Sequence, residues 1–459
     1  MSKVTSLVQT AVANTIKQYE RADIIIAYSG GVDSQVLLHS VSQLKKQQQI
    51  SHEVTVCHVN HGLSRNALDW QSFAQKECEK FSLKLVIKQV KVRAHAQQSL
   101  EEVARELRYS ALKTVSDKPA IVLTGHHSDD QSETFLLALK RGAGLKGLSS
   151  MAKTSSLGKH LLIRPLLNIS REKIEQYALA NQLSWVEDES NQDTSFDRNF
   201  IRKKVMPLLK ERWPSISNTI NRSASHCFAG QELLDELAVQ DLNVTKTDDF
   251  ALNIERLMQL SPARFNNLIR FFLAQHNCLM PSVEQIAQVR LQLQADVDKT
   301  PMIKVANHYL RRYKHSLYLT GDYKDISQWQ AEIDLTEQNL RLSLPDKLTE
   351  IVFSCQAINS VKADKVEQIK WHRCVCLPEK GQKVMVRFSH ENPSCLPDYR
   401  QHSRSVKKVL QELNIPPWER KRIPFLYYDD ELVAAIGYFV CQGFIVKDNQ
   451  ASILINWCK

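Results

Sequence analysis

Residues 24–39, IIIAYSGGVDSQVLLH, run from an apolar stretch straight into an apolar helical pattern through Ser29-Gly30-Gly31-Val32-Asp33-Ser34. A buried strand that passes into a helix through two glycines constrains the fold more than any other feature of the chain. Candidate strands at 23–28, 53–59, 83–90 and 120–125 are each followed by a helical pattern. Such alternation predicts an α/β fold, a doubly wound parallel sheet with helices on both faces. Ligands in that architecture lie at the carboxyl ends of strands, near the switch point. The loop after Tyr28, HVNHGLSR after the second strand and TGHHSDDQSET after the fourth all fall there.

The loop has no lysine, whereas the best-known phosphate loop ends in Gly-Lys-Ser/Thr. A strand–glycine loop–helix unit still offers successive backbone N–H groups and a positive helix end to an anion. Gly30 and Gly31 permit close backbone approach, and Ser29 and Ser34 add hydroxyl donors. The remaining negative charge must be met by a metal or by arginines from elsewhere. Asp33 would repel a phosphate unless it held Mg2+, its natural role in such a loop. The competing explanation is a tight βα turn in which Ser and Asp only cap the helix.

Three more stretches carry chemistry. HVNHGLSR places His58, Asn60, His61 and Arg65 at a strand end. In SLEEVARELRYSAL, Ser99 and Glu102 form a capping box, and Arg105, Arg108 and Tyr109 share a helical face. These arginines either supply the missing positive charge or form a solvated face. TGHHSDDQSET holds Gly125, His126, His127, Asp129, Asp130 and Glu133. Asp130 and Glu133, three apart, point the same way on a helix. They could hold Mg2+, position an amine or accept its proton; the plain alternative is acids favoured by a helix N-terminus. A zinc site of His58, His61, His126 and His127 is weighed against histidines that contact phosphate or base, and the latter is favoured. The glycine-rich loop 141–151 could close over a substrate or serve as a connector.

At 459 residues two to four domains are expected. The alternating pattern ends near Trp213-Pro214, giving a first domain at 1–215, a helical domain at 216–320, a strand-rich connector at 321–375 and a small α+β domain at 376–459. Ser261 before Pro262 reads as a helix start. The first residues carry Lys3, Lys17, Glu20 and Arg21, so no secretory signal is expected. No segment approaches the ~20 apolar residues of a membrane span. A formal charge of +10 suits a polyanionic partner. The ten cysteines form no Cys-x-x-Cys, which argues against zinc knuckles and for reduced thiols in the cytoplasm. Two basic stretches stand out: DRNFIRKK with Arg198 and Arg202, and 400–422 with Arg404, Lys407, Lys408 and Arg420 near Tyr399 and Trp418. Each suits phosphate contact, the second with stacking options, or is simply a solvated face.

Ser-Gly-Gly-x-Asp-Ser after a first strand resembles the pyrophosphate loop of the ATP-pyrophosphatase family, whose members adenylate an oxygen and let a nucleophile displace AMP. HVNHGLSR, EEVARELRY, TGHHSDDQSETFLLALKRGAGLKGL, IRPLL, WVEDESNQDTSFDRNFIR, IERLMQLSPARFNNLIRFFLAQ and RSVKKVLQELNIPPWERKRIPFLYYDDELVAAIGYFV together resemble the tRNA(Ile)-lysidine synthase branch. That resemblance implies ATP and Mg2+, free L-lysine, and an isoleucine tRNA with a CAU anticodon whose wobble cytidine is adenylated at the C2 oxygen and then attacked by the lysine ε-amine. It implies nucleotide contacts from Ser29, Gly30, Gly31, Val32, Asp33, Ser34, His58, Asn60, His61, Gly125 and His126, with Asp33 on the metal. It implies catalytic roles for Asp33, Arg105, Arg108, Asp130 and Glu133, and tRNA contacts from Arg198, Arg202, Arg404, Lys407, Lys408 and Arg420. A homodimer is compatible with it. Two rivals stay open: a tRNA sulfurtransferase, which needs paired cysteines where the site segments offer only Cys57, and a non-catalytic RNA-binding protein, for which Asp33, Asp130 and Glu133 are liabilities.

Overall fold

The structure, a computed structural model, describes residues 3–458 apart from 21, 63, 93–99, 249, 295–301, 306, 336–338, 357–368 and 448–449. The capping box expected at Ser99 and Glu102 lies outside the described residues. The chain divides into two compact units, Met1–Leu237 and Ala238–Lys459.

The first unit comprises α1 (Lys3–Ile16), β1 (Asp23–Tyr28), α2 (Val32–Lys46), β2 (Val54–Asn60), α3 (Ala67–Lys80), β3 (Lys84–Gln89), α4 (Leu100–Lys113), β4 (Ala120–Leu123) and α5 (Ser128–Lys140). The short α6 (Leu145–Leu148), β5 (Thr154–Leu157), β6 (His160–Ile163) and α7 (Arg171–Ala180) follow. The sheet order is β3-β2-β1-β4-β6-β5. β1 runs parallel to β2 and β4, and only the edge strand β5 is antiparallel. Strand order therefore reverses beside β1, and the crevice between the ends of β1 and β4 is the place for a ligand. The isoleucines of β1 divide between two layers. Ile24 and Ile26 pack with Val8, Val12, Val36 and Tyr177, and Ile25 packs with Cys57, Leu112 and Val122 on the other face. Each such buried side chain contributes roughly 1.5–3 kcal/mol, which fixes the strand whose tip carries the glycine loop.

Beyond α7, a single helical run contains α8 (Asp197–Phe200), a π turn (Ile201–Val205) and α9 (Met206–Arg212). Pro207 lacks the N–H that a regular helix would use, and the wide turn directly before it accommodates the loss. α10 (Ile216–Thr245) starts where the sequence suggested a boundary, and the division between units falls within it.

In the second unit, β7 (Lys246–Asp248), β8 (Ala251–Asn253), α11 (Ile254–Gln259), α12 (Pro262–Gln275), α13 (Val283–Leu293), β9 (Met302–Val305), β10 (His308–Tyr313) and β11 (Ser316–Gly321) combine helices with the sheet β7-β8-β11-β10-β9. The stretch read as helical thus also holds a five-stranded sheet. Its short strands gave no long periodic signal. α12 begins at Pro262 as expected, with Ser261 Oγ accepting from the Arg264 N–H at 3.4 Å.

The chain continues through β12 (Gln330–Glu332), β13 (Asn339–Ser343), β14 (Glu350–Gln356), β15 (Ile369–Cys376), β16 (Val384–Arg387), β17 (Ser394–Cys395), β18 (Arg404–Ser405), α14 (Val406–Glu412), α15 (Pro417–Arg420), β19 (Phe425–Tyr428), β20 (Glu431–Ala435), β21 (Phe439–Val440) and β22 (Ser452–Cys458). Three antiparallel sheets result, β12-β16-β19-β20-β21, β13-β14-β22-β15 and the two-stranded β17-β18. The stretch expected as a connector therefore needs correction. Its strands β14 and β15 flank β22, and Ile351 and Phe353 share a core with Val386 and Ile455.

Candidate active site

The glycine loop is organised around one hydroxyl. Ser34 Oγ accepts from the N–H groups of Gly30 at 3.1 Å and Ser29 at 3.3 Å, lies 3.1 Å from Ser29 Oγ, and donates to the Gly31 carbonyl at 2.9 Å. Gly30 has a φ of +89°, a region that side chains disfavour. Its carbonyl accepts from Val186 N–H at 3.0 Å, so the WVEDES segment closes one side of the loop. Val32 is buried behind the loop as the first residue of α2. The first N–H groups of α2 lack partners within the helix and are available to an anion. On the β4 side, a Cβ on Gly125 would lie 2.9–3.0 Å from the backbone of Asp33 and Ser34. Only a glycine lets these two strand-end loops touch.

Around this loop four acids meet four cations. Asp33 Oδ2 accepts from Arg171 Nη1 at 2.6 Å. Asp129 accepts from Lys210 Nζ at 2.5 Å and from the Arg171 backbone N–H at 2.9 Å. Asp130 Oδ1 accepts from Nη2 of both Arg198 and Arg202 at 3.1 Å. Glu133 accepts from Arg198 Nε at 3.0 Å, Arg202 Nε at 2.6 Å and Arg202 Nη2 at 2.8 Å. The acids of α5 share a face as their spacing predicts. Arg198 and Arg202 lie opposite them, and not on a separate phosphate-binding face. Sequence reading did not single out Arg171 or Lys210; the only signal was their charge, in a segment with no other signature.

The electrostatics follow from this pairing. Burial pushes the Asp130 carboxyl up, but His127, Arg198 and His126 outweigh it and bring its pKa down to about 2. Asp129 is likewise lowered: burial opposes the shift, but the Arg171 N–H and Lys210 prevail. Asp33 moves the other way, because burial outweighs the help of His127 and Arg171. Its Oδ1 is buried without a hydrogen-bond partner, 3.6 Å from His127 Nε2. Burial lowers His126 to about 3 and His61 to about 4, with Arg108 adding to the latter effect. His58 Nδ1 lies 3.1 Å from the Tyr28 carbonyl and its pKa falls on burial. All three are therefore neutral at pH 7. His126 Nδ1 lies 2.9 Å from Thr124 Oγ1, and Asn60 Oδ1 accepts from the Gly62 N–H at 2.9 Å. Arg105 stacks 5.2 Å from the Tyr109 ring centre. Among the described residues, no group of three or more His, Cys, Asp and Glu side chains is arranged to hold a metal.

In the second unit Arg404, Lys407 and Lys408 are exposed, while Val406, Val409 and Leu410 of α14 are buried. Arg420 is not part of that surface. It donates to the Ile415 carbonyl at 2.8 Å and to Tyr313 Oη at 3.3 Å. Trp418 is also unavailable for stacking on RNA, being buried with its ring 5.5 Å from the Tyr318 ring and from the Arg311 guanidinium. Tyr399 is 53% exposed and keeps that option.

A lysine-free anion loop at a strand-order reversal defines a nucleotide-binding protein of the PP-loop class, and a family model described as "PP-loop domain" matches residues 4–209. Models described as "TilS substrate binding domain" and "TilS substrate C-terminal domain" match residues 252–318 and 384–457. The chain is 40% identical to the tRNA(Ile)-lysidine synthase of Serratia proteamaculans (strain 568) over 437 residues, 95% of each chain. It is 38% identical to that of Vibrio vulnificus (strain YJ016) over 441 residues, 95% of this chain and 97% of the relative. The chain belongs to the tRNA(Ile)-lysidine synthase family.

Proposed function

We propose that the protein uses ATP to join free L-lysine to C2 of the wobble cytidine in the CAU anticodon of an isoleucine tRNA, releasing pyrophosphate and AMP. The observation that carries this reading is the contact between the glycine loop and the Gly125 turn, which brings an anion cradle and the paired acids of α5 into one crevice.

A cytosine C2 carbonyl is a poor electrophile. Adenylation turns its oxygen into a leaving group, after which the lysine ε-amine forms the C2–N bond and AMP departs with the oxygen. The N–H groups at the start of α2 hold the phosphates where the 29–34 loop delivers them, with His58, Asn60, His61 and His126 as neutral neighbours of the nucleotide. Asp33 fits a single-carboxylate Mg2+ site, since its buried Oδ1 lacks a partner. When bound there, Mg2+ supplies charge neutralisation for the pyrophosphate. Arg105 or Arg108 offsets charge on the phosphoryl group in transfer.

Asp130 and Glu133 bind the lysine ammonium. Against burial, His127, Arg198 and His126 hold the Asp130 carboxyl below the usual carboxylate range, so it is a weak base and suits holding that ammonium better than taking its proton, whose solution pKa is about 10.4. Arg404, Lys407 and Lys408 meet tRNA phosphates. The reaction is cytoplasmic; among the described residues no helix is long and apolar enough to cross a membrane.

The sulfurtransferase reading loses ground at Cys57, which is buried and whose thiol burial pushes up to about 11, away from the reactive thiolate. Incubation with ATP, radiolabelled lysine and the two CAU-anticodon tRNAs tests the proposal. Label should enter the isoleucine tRNA alone, with pyrophosphate release that depends on it. Incorporation of sulfide instead of lysine would refute it.

A further inference from the structure

The loop at 29–34 has no lysine, so the question of its positive charge returns at the level of side chains. Arg198 and Arg202 are both committed to Asp130 and Glu133, and Lys210 is committed to Asp129. Arg171 is the cation that bonds to the loop's own acid. It opens α7, where its backbone N–H is fixed by Asp129 Oδ2 at 2.9 Å and its Nε by Glu175 Oε1 at 2.7 Å. Its root is thus held while its tip reaches Asp33 Oδ2 at 2.6 Å. The side chain is 39% exposed, leaving room for that tip to turn.

We propose that Arg171 is the loop's missing cation: with the nucleotide site empty it neutralises Asp33, and with nucleotide bound it pairs with the pyrophosphate portion. The inference rests on the ATP reading given above. A bare carboxylate in a phosphate loop opposes its ligand, and a guanidinium on that carboxylate removes the conflict while the site waits. Once Asp33 has another cation partner, the Arg171 fork faces the phosphates, to which guanidinium geometry is suited. Glu175, one turn along α7, keeps hold of Nε, so the change is a pivot of the terminal nitrogens.

The test uses the full-length protein and Arg171→Met, with Arg171→Lys as the variant that keeps the charge. Inorganic pyrophosphate with Mg2+ is titrated calorimetrically, and Mn2+ binding without nucleotide is followed by electron paramagnetic resonance. In Arg171→Met, pyrophosphate affinity should fall about tenfold to a hundredfold, as expected for removal of a charge-assisted pair. Mn2+ affinity should rise, because the Asp33 carboxylate is released. Arg171→Lys should lie between. Loss of folding would depress both affinities together, so the opposite movement separates the two. In Arg171→Met with a wild-type thermal melt, or in Arg171→Lys should the Met variant not fold, unchanged pyrophosphate affinity or a parallel fall of both overturns the inference. A wild-type protein that binds neither ATP nor pyrophosphate overturns the nucleotide reading beneath it.

Discussion

Replacing Glu133 by glutamine tests whether the acids of α5 and the arginines facing them act as one unit. Glu133 is 2% exposed and takes three hydrogen bonds from two guanidiniums. With Asp130 it balances Arg198 and Arg202 charge for charge. Glutamine keeps the shape but leaves one positive charge over, and turns an amide N–H2 toward donors. Removing one partner of a buried pair costs about 3–5 kcal/mol. The Arg202 side chain is 37% exposed, so water recovers part of that, and about 3 kcal/mol is expected. In the double variant with Arg202→Met the surplus charge disappears, and the summed single losses should exceed the double by about 2 kcal/mol. Hydrogen exchange of the α5 and 197–212 amides reads this locally, without mixing in the second unit. The same substitution should raise the KM for lysine more than that for ATP. Additive single losses, or exchange unchanged in Glu133→Gln, would refute the idea of a neutral coupled quartet.

Gly125→Ala places a methyl group 2.9–3.0 Å from the backbone of Asp33 and Ser34, which cannot rotate away. A loss of about 1–3 kcal/mol is expected with a raised KM for ATP, and thermal unfolding with ATP kinetics checks both; no change in either counts against the bracing of the two loops. Burial first, then Lys80, brings buried His39 to about 4, so the folded form stays neutral where the unfolded chain takes up a proton near 6.5. Stability is therefore unaffected above about pH 6.5 and falls between 6.5 and 4, by about 3 kcal/mol; a melting temperature that is flat across that window, and equal in His39→Gln, refutes this. Lys407→Ala with Lys408→Ala should reduce the salt dependence of tRNA binding by roughly 0.7–0.9 in log–log slope for each phosphate that is no longer neutralised. An unchanged slope removes these two from the RNA surface.

The glycine loop and the α5 acids were legible because their chemistry is local. A strand tip, two glycines and acids three apart carry meaning within a dozen residues. The cations that balance them were not legible as partners. Arg171 is 138 residues from Asp33, and Arg198 and Arg202 are 65 and 69 from Glu133. From sequence a lone arginine shows its charge and conceals its counter-ion, so DRNFIRKK reads as a surface for RNA. The same limit hid the fate of Trp418. In HYLRRY, Leu310 and Arg312 are buried and Leu310 joins the core, whereas Arg311 on the opposite face meets Trp418. The strand alternation was there to read, but the ring that covers it lies about a hundred residues further on. Strands β14 and β15 read as a connector because their shared partner, β22, closes the chain.

The pairing of acids and cations bears on how one crevice can serve ligands of opposite sign. In the proposed reaction ATP brings negative charge and lysine brings a cation. A site with four unpaired acids would repel the first, and one with four unpaired arginines would repel the second. Asp33, Asp129, Asp130 and Glu133 are each matched to Arg171, Lys210, Arg198 or Arg202, so the resting crevice carries little net field from these eight groups. In the proposed reaction, where ATP and lysine share this crevice, each ligand has to take over partners that these ion pairs now hold. The half-exposed cations Arg171, Arg202 and Lys210 are the ones free to move, whereas Glu133 is enclosed. The acids form the fixed frame and the basic tips its movable part, which makes the basic residues the more informative ones to mutate.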